Sequence, residues 1–145
     1  MKHVDGMRMN HVEITVPVGS FARMRADLVA FYGDALGFGV NTIDAFGPNH
    51  VFLVKDAAGS NFIYVAEHER PLVVGGDDHV GFHVPDPAAV DAILAECRRV
   101  QARDPRMEIR ELEDIVLPTS RTHAFYFRYL LPLWFDIQHV ALLPG

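Results

Sequence analysis

The sequence predicts an α+β fold made of two βαβββ modules. Three observations predict it: a strand opening that occurs twice, a helix-period segment after each copy, and a chain of 145 residues, half of them apolar and 22% charged. That length suits one domain, residues 1–145, with modules over 9–68 and 78–143. The repeat is explicit. His11-Val12-Glu13-Ile14-Thr15-Val16-Pro17 and His79-Val80-Gly81-Phe82-His83-Val84-Pro85 share His-Val-x-apolar-x-Val-Pro, 68 residues apart.

In each opening the alternate apolar residues, Val12/Ile14/Val16 and Val80/Phe82/Val84, face a core in the period-2 pattern of a strand. Pro17 and Pro85 end the strands because their nitrogens cannot donate to a ladder. Ser20 is then placed to cap a helix over 21–36, with Phe21, Met24, Leu28, Phe31, Tyr32 and Leu36 at helical spacing and Gly37 as its stop. In the second copy Asp86 caps, Pro87 takes the first helical position, and Val90, Ile93, Leu94 and Cys97 form the stripe as far as Asp104-Pro105. Strands follow over 38–46, 50–56 and 61–67, divided by Gly47-Pro48-Asn49 and Ala57-Ala58-Gly59-Ser60. The matching strands run over 107–115, 123–129 and 133–140, divided by Pro118-Thr119-Ser120 and Leu130-Leu131-Pro132. Equivalent positions lie 73 apart at His50/His123 and 72 apart at Tyr64/Asp136. Residues 69–78, with Arg70-Pro71 and Gly75-Gly76, join the modules.

Composition excludes several functions. Nineteen acidic against 13 basic residues give a formal charge of −6, unfavourable for a nucleic-acid partner. No apolar run approaches the ~20 residues of a membrane span. The first ten residues carry charges and no secretory core. A single cysteine, Cys97, makes neither a disulfide nor a thiolate cage and reads as a core residue. The expectation is a cytoplasmic protein.

A sheet from one βαβββ unit is covered by its helix on one face only. Two such units can close their bare faces into a half-barrel lined by alternate strand residues. The first and last strands then carry His11 and Tyr64 in one module, and His79 and Asp136 in the other. Two imidazoles and a carboxylate on strands are the ingredients of a metal site with open positions. Asp136 lies inside the apolar Trp134-Phe135-Asp136-Ile137, which costs free energy unless the carboxylate meets a cation or donors; Arg128 is the alternative partner. Tyr64, Glu13 and Trp134 are candidate cleft residues, with Tyr64 equally readable as an ordinary strand aromatic. His3, His50, His68 and His139 read as surface or satisfied core histidines. Asp77-Asp78 reads as a linker end, with a carboxylate that orients His79 as the alternative.

The paired openings, Phe31-Tyr32-x3-Leu36-Gly37-Phe38 and Trp134-Phe135-Asp136-Ile137 together resemble the vicinal oxygen chelate superfamily of glyoxalase I, bleomycin-resistance proteins and extradiol dioxygenases. The resemblance covers nearly the whole chain. It implies a glyoxalase/bleomycin-resistance/dioxygenase-like fold, a small-molecule substrate and metal ligands at His11, His79 and Asp136. Where glyoxalase I has a fourth, carboxylate ligand this chain has Tyr64, with Glu67 or His68 in reach only under a shifted register. Three ligands resemble the extradiol dioxygenases, and His123, Phe125-Tyr126, Pro132 and Asp136 follow a similar order to their closing motif. The resemblance therefore implies iron(II), with zinc, nickel or manganese as alternatives. The substrate would be a vicinal diol or enediolate, Tyr126 or His123 would donate to a developing oxyanion, and His83 would serve as an outlying base. The competing readings are a glyoxalase-I-like lyase or isomerase and a metal-free bleomycin-resistance-type binding protein. Open sheet edges predict a homodimer.

Overall fold

The computed structural model describes residues 7–55 and 61–144; His3 and the turn predicted at 57–60 lie outside them. Two compact units divide the chain, Met1–Leu72 and Val73–Gly145. The first holds β1 (His11–Pro17), α1 (Ser20–Leu28) continued by a π-type segment (Val29–Ala35), β2 (Gly39–Asn41), a 3-10 turn (Asp44–Phe46), β3 (His50–Val54) and β4 (Phe62–His68). Its sheet runs β1-β4-β3-β2, with β1 parallel to β4 and the other pairs antiparallel. The second holds β5 (His79–His83), α2 (Pro87–Gln101), β6 (Glu108–Glu111), β7 (Ile115–Leu117), β8 (Ser120–Arg128) and β9 (Trp134–Leu142). Its sheet runs β5-β9-β8-β6, with β7 also on β8 and β5 parallel to β9. The fold is thus α+β with two open mixed sheets, as the repeat predicts.

One face of each sheet makes the core. In the first unit Ile14, Val16, Val51, Leu53, Ile63 and Val65 are buried, as are Phe21, Met24, Leu28, Phe31 and Tyr32 of the helix. In the second, Phe125, Phe127, Phe135 and Ile137 are buried together with Val90, Cys97 and Val100 of α2. Each such side chain contributes about 1.5–3 kcal/mol by leaving water. Burial pushes the Cys97 thiol up to about 12, in keeping with an inert core residue.

Several boundaries differ from the sequence reading for identifiable reasons. Ser20 is not the cap; Gly19 is, in the left-handed region at φ 84, and Ser20 is a buried helical residue. The Phe21 N–H instead donates to Glu67 Oε1 at 2.8 Å, so a carboxylate from β4 does the capping work that a local hydroxyl usually does. Asp86 caps α2 as predicted, accepting from the Ala89 N–H at 2.8 Å. The first helix widens after Leu28, where Leu36 N–H reaches the Phe31 carbonyl, and ends at Gly37 with φ 82. The strand expected over 38–46 stops at Asn41, because Phe46 and Gly47 turn back onto the Ile43 and Asp44 carbonyls. The strand expected over 107–115 is two: between β6 and β7 the register against β8 slips by one residue, which is a bulge.

Candidate functional site

Register assigns every strand residue to the helix-covered face or to the opposite, open one. On the open face of the second sheet, Gly81, Asp136, Tyr126 and Arg110 lie directly across from one another on β5, β9, β8 and β6. His79 shares that face two residues before Gly81. Its Nε2 is 3.8 Å from Asp136 Oδ2, and its ring lies 4.9 Å from that of Tyr126. Gly81 contributes no side chain, so the carboxylate has room: a Cβ there would stand 3.8 Å from Asp136 Oδ2 and 3.3 Å from Gln138 Nε2.

Asp136 is 6% exposed, and its Oδ1 is buried without a hydrogen-bond partner. Burial raises its carboxyl above the ordinary carboxylate range, with the nearby His79 pulling the other way. Arg128, the alternative partner, is spent on Glu108 in two contacts of 2.9 Å. The Tyr126 phenol is also shifted upward, by burial and then by the charges of Asp136 and Asp77, so it is a proton donor at neutral pH. His79 Nδ1 is 2.8 Å from the Asp77 carbonyl, which can only accept. Nδ1 is therefore the donor there, and Nε2 is the ring nitrogen that faces Asp136. The peptide carbonyl takes the orienting role that the sequence reading offered a carboxylate only as an alternative to a linker end, while the Asp77 carboxylate pairs with Arg110.

Three predicted residues stand where the roles expected of them do not fit the geometry. His123 lies three residues from Tyr126 along β8, and an odd separation puts it on the helix-covered face, away from Asp136. Its Nδ1 and Nε2 are held at 2.7 Å by Asp114 and 2.9 Å by Asp91, so it is no donor to an oxyanion beside Tyr126. Nor is it the counterpart of His50: cross-strand pairing matches His50 with Ala66 and Ala124 with Gln138, so His50 corresponds to Ala124. Trp134 is on the open face but is 2% exposed. It lies beneath the guanidiniums of Arg110 and Arg128, 4.1 and 4.6 Å from its centroid, rather than forming an exposed wall. His83 Nε2 accepts from the Val140 N–H at 3.3 Å, and that ring lies 5.3 Å from His139. Its acceptor nitrogen is thereby occupied by the strand edge.

The first sheet carries the equivalent open face with different chemistry. His11 and Glu13 sit on β1 opposite Phe62 and Tyr64. The His11 ring stacks on Phe62 at 5.0 Å, and Nδ1 pairs with Asn10 Oδ1 at 2.8 Å. Tyr64 occupies the position of Asp136 and stacks on Phe52 at 4.8 Å. Phe46 meets His50, Phe52 and Tyr64, continuing an aromatic row that the sequence reading missed. His50 is buried and its Nε2 accepts from the Ile43 N–H at 2.7 Å, while its Nδ1 is buried without a hydrogen-bond partner, so the core histidine expected here is only half satisfied. Glu67 points to the helix side and His68 Nδ1 is engaged by Arg70, so neither stands in for a carboxylate at Tyr64. A hollow of about 1000 Å³ lies by the start of α1, beside Phe21, Arg25, Asn49 and Glu67, and contains none of the predicted catalytic, metal or cleft residues.

His79 Nε2 and Asp136 are an imidazole nitrogen and a hard carboxylate oxygen, two donors of the kind that bind divalent cations. The unpartnered buried Oδ1 is what such an ion would satisfy. Among the described residues of either unit, no group of three His, Cys, Asp or Glu side chains forms a complete cage.

The sequence matches no protein-family model and no curated protein. Solved structures do match. FosX, a fosfomycin-resistance protein of Listeria monocytogenes in complex with Mn(II) and sulfate, is 14% identical with TM-score 0.61, over 91% of this chain and 89% of that one. A glyoxalase/bleomycin resistance protein from Albidiferax ferrireducens is 15% identical with TM-score 0.56, over 90% and 97%. A virulence protein from Salmonella typhimurium is 18% identical with TM-score 0.58, over 92% and 96%. The chain has the glyoxalase-type fold, which bears out the resemblance read from its motifs at the level of fold. No helix among the described residues is long and apolar enough to cross a membrane.

Proposed function

We propose that this chain is a divalent-metal-dependent enzyme acting on a small substrate with two vicinal oxygens. The observation that carries the reading is the Asp136 carboxylate, buried with one oxygen unpartnered and the other 3.8 Å from His79 Nε2. A protein retains so costly a group where a cation offsets it. His79 and Asp136 would hold the ion, and His11, the match of His79 in the repeat, is the third ligand of the proposal. A bound cation supplies Lewis acidity to a vicinal diol or enediolate. Tyr126, held protonated next to Asp136, would donate a hydrogen bond to substrate oxygen as negative charge develops there. Manganese in the similar FosX structure supports a divalent ion here.

The finer reading is an extradiol-type dioxygenase using iron(II) on a catechol, supported by Tyr126 lying directly across from Asp136 on β8 and β9. A cytoplasmic homodimer completes the proposal. Metal analysis of protein purified without chelator tests the core of it. One divalent ion per chain is expected, lost in His79→Ala and Asp136→Asn. A wild-type protein that binds no Fe(II), Mn(II) or Zn(II) at micromolar concentration overturns it. Oxygen uptake on catechols with Fe(II) then tests the finer reading, and turnover of a hemithioacetal without oxygen uptake would replace it with the lyase.

A further inference from the structure

The segment entering β5 contains Gly75-Gly76, and Gly76 adopts φ 71. Two glycines leave the next peptides free to turn, so local geometry does not fix where the Asp77 carbonyl points. That carbonyl nevertheless meets His79 Nδ1 at 2.8 Å. The anchors are tertiary. Asp77 pairs through its carboxylate with Arg110 of β6, and the Asp78 carbonyl accepts from the Trp134 N–H at 3.3 Å. The Arg110 guanidinium is in turn laid over the Trp134 indole at 4.1 Å, a ring that is buried and rigid.

His79 has two ways to place its proton when neutral. On Nδ1 it bonds to the Asp77 carbonyl and leaves Nε2 bare; on Nε2 it points at the Asp136 carboxylate, 3.8 Å away. The second choice satisfies the buried charge and blocks the nitrogen that a metal needs. We propose that the Asp77–Arg110 pair, seated on Trp134, is a positioning device that holds the proton on Nδ1 of His79 and keeps Nε2 bare. This assigns Asp77 and Arg110 a role that rests on reading His79 as a metal ligand. Asp77 is 76% exposed at its side chain, and pairs so exposed add little to stability, so its loss separates positioning from folding.

The test uses the full chain freed of metal, at a pH about two units above the ordinary histidine value. Long-range ¹H–¹⁵N spectra of the histidine rings are expected to show His79 as the Nδ1–H tautomer. In Asp77→Asn and Arg110→Met the population is expected to move toward Nε2–H, and affinity for Zn(II) alone to fall roughly tenfold. Unchanged thermal midpoints identify the effect as local, and Asp77→Asn serves if Arg110→Met disturbs the Trp134 packing. An Nε2–H tautomer in the wild type, or an Nδ1–H tautomer that survives both substitutions, overturns the proposal. A tautomer that shifts as stated in a protein that never binds Zn(II) upholds the positioning device and removes the metal-ligand reading instead.

Discussion

The open faces of the two sheets share one backbone plan and carry opposite chemistry. Pairing aligns His11 with His79, Phe62 with Trp134, Tyr64 with Asp136 and His50 with Ala124. On the first sheet these positions extend into an aromatic row through Phe52 and Phe46, whose rings satisfy one another. On the second they give a buried carboxylate, an imidazole nitrogen 3.8 Å from it, a raised phenol and two guanidiniums. A duplicated scaffold thus keeps its helix-covered core in both copies and divides labour on the other face. One copy presents stacked aromatic rings, and the other a buried, half-satisfied carboxylate.

Matched substitutions sharpen that contrast. The largest effect is expected at the Phe62/Trp134 position. Trp134→Ala should cost about 3–5 kcal/mol, because it empties a buried site on which two guanidiniums rest. Phe62→Ala, at a half-buried site, should cost less than half as much. Urea denaturation of both variants decides it, and equal losses would break the distinction between the faces. At the next position the signs should differ. Asp136→Leu removes a desolvated, half-satisfied carboxylate and should stabilise the metal-free protein by about 1–3 kcal/mol while abolishing metal binding. Tyr64→Leu removes a ring stacked on Phe52 and should destabilise. A destabilised Asp136→Leu in chelator would mean that the carboxylate is there for structure.

These pairs also mark what the sequence makes legible. Strand alternation and helical spacing reveal the two modules because burial of Ile14, Val16, Phe125 and Phe127 needs that periodicity. The Tyr64/Asp136 equivalence is legible from spacing and agrees with the observed register. His123 was misplaced because spacing gives order, whereas function depends on face, and one residue more or less in a hairpin exchanges the faces. The β6–β7 bulge and the shift of the His50 counterpart to Ala124 are changes of that size. The Glu67 cap on α1 and the Asp77 carbonyl on His79 have no sequence signature: the first joins residues 46 apart, and the second is a backbone group present at every position.

A smaller effect tests whether the helix-covered sides differ too. In the first unit a sheet carboxylate caps the helix, and in the second the local Asp86 does. Glu67→Ala should cost about 1 kcal/mol, and Asp86→Ala about as much, by loss of one capping bond each. Hydrogen exchange at Phe21 and Ala89 reads the two caps separately. Acceleration at Phe21 in Asp86→Ala would show that the caps are not independent.

The smallest effect is confined to the second unit and depends on pH. His123 joins α2 to the β6–β7 bulge through Asp91 and Asp114, and the bonds to Asp114 and then Asp91 raise its pKa above the ordinary value of about 6.5. A folded-state value above the unfolded one means that the protonated ring favours folding. That contribution is complete below the unfolded value and fades as pH rises through the folded value, because a neutral ring has one N–H for two carboxylates. At the acid end it is lost when Asp114, whose pKa is lowered chiefly by His123 and Arg121, takes up its proton. Wild type minus His123→Gln should therefore show its greatest stability difference near about pH 6 and a smaller one near about pH 8. A pH-independent difference for His123→Gln would mean that its two carboxylates hold a neutral ring as steric neighbours only.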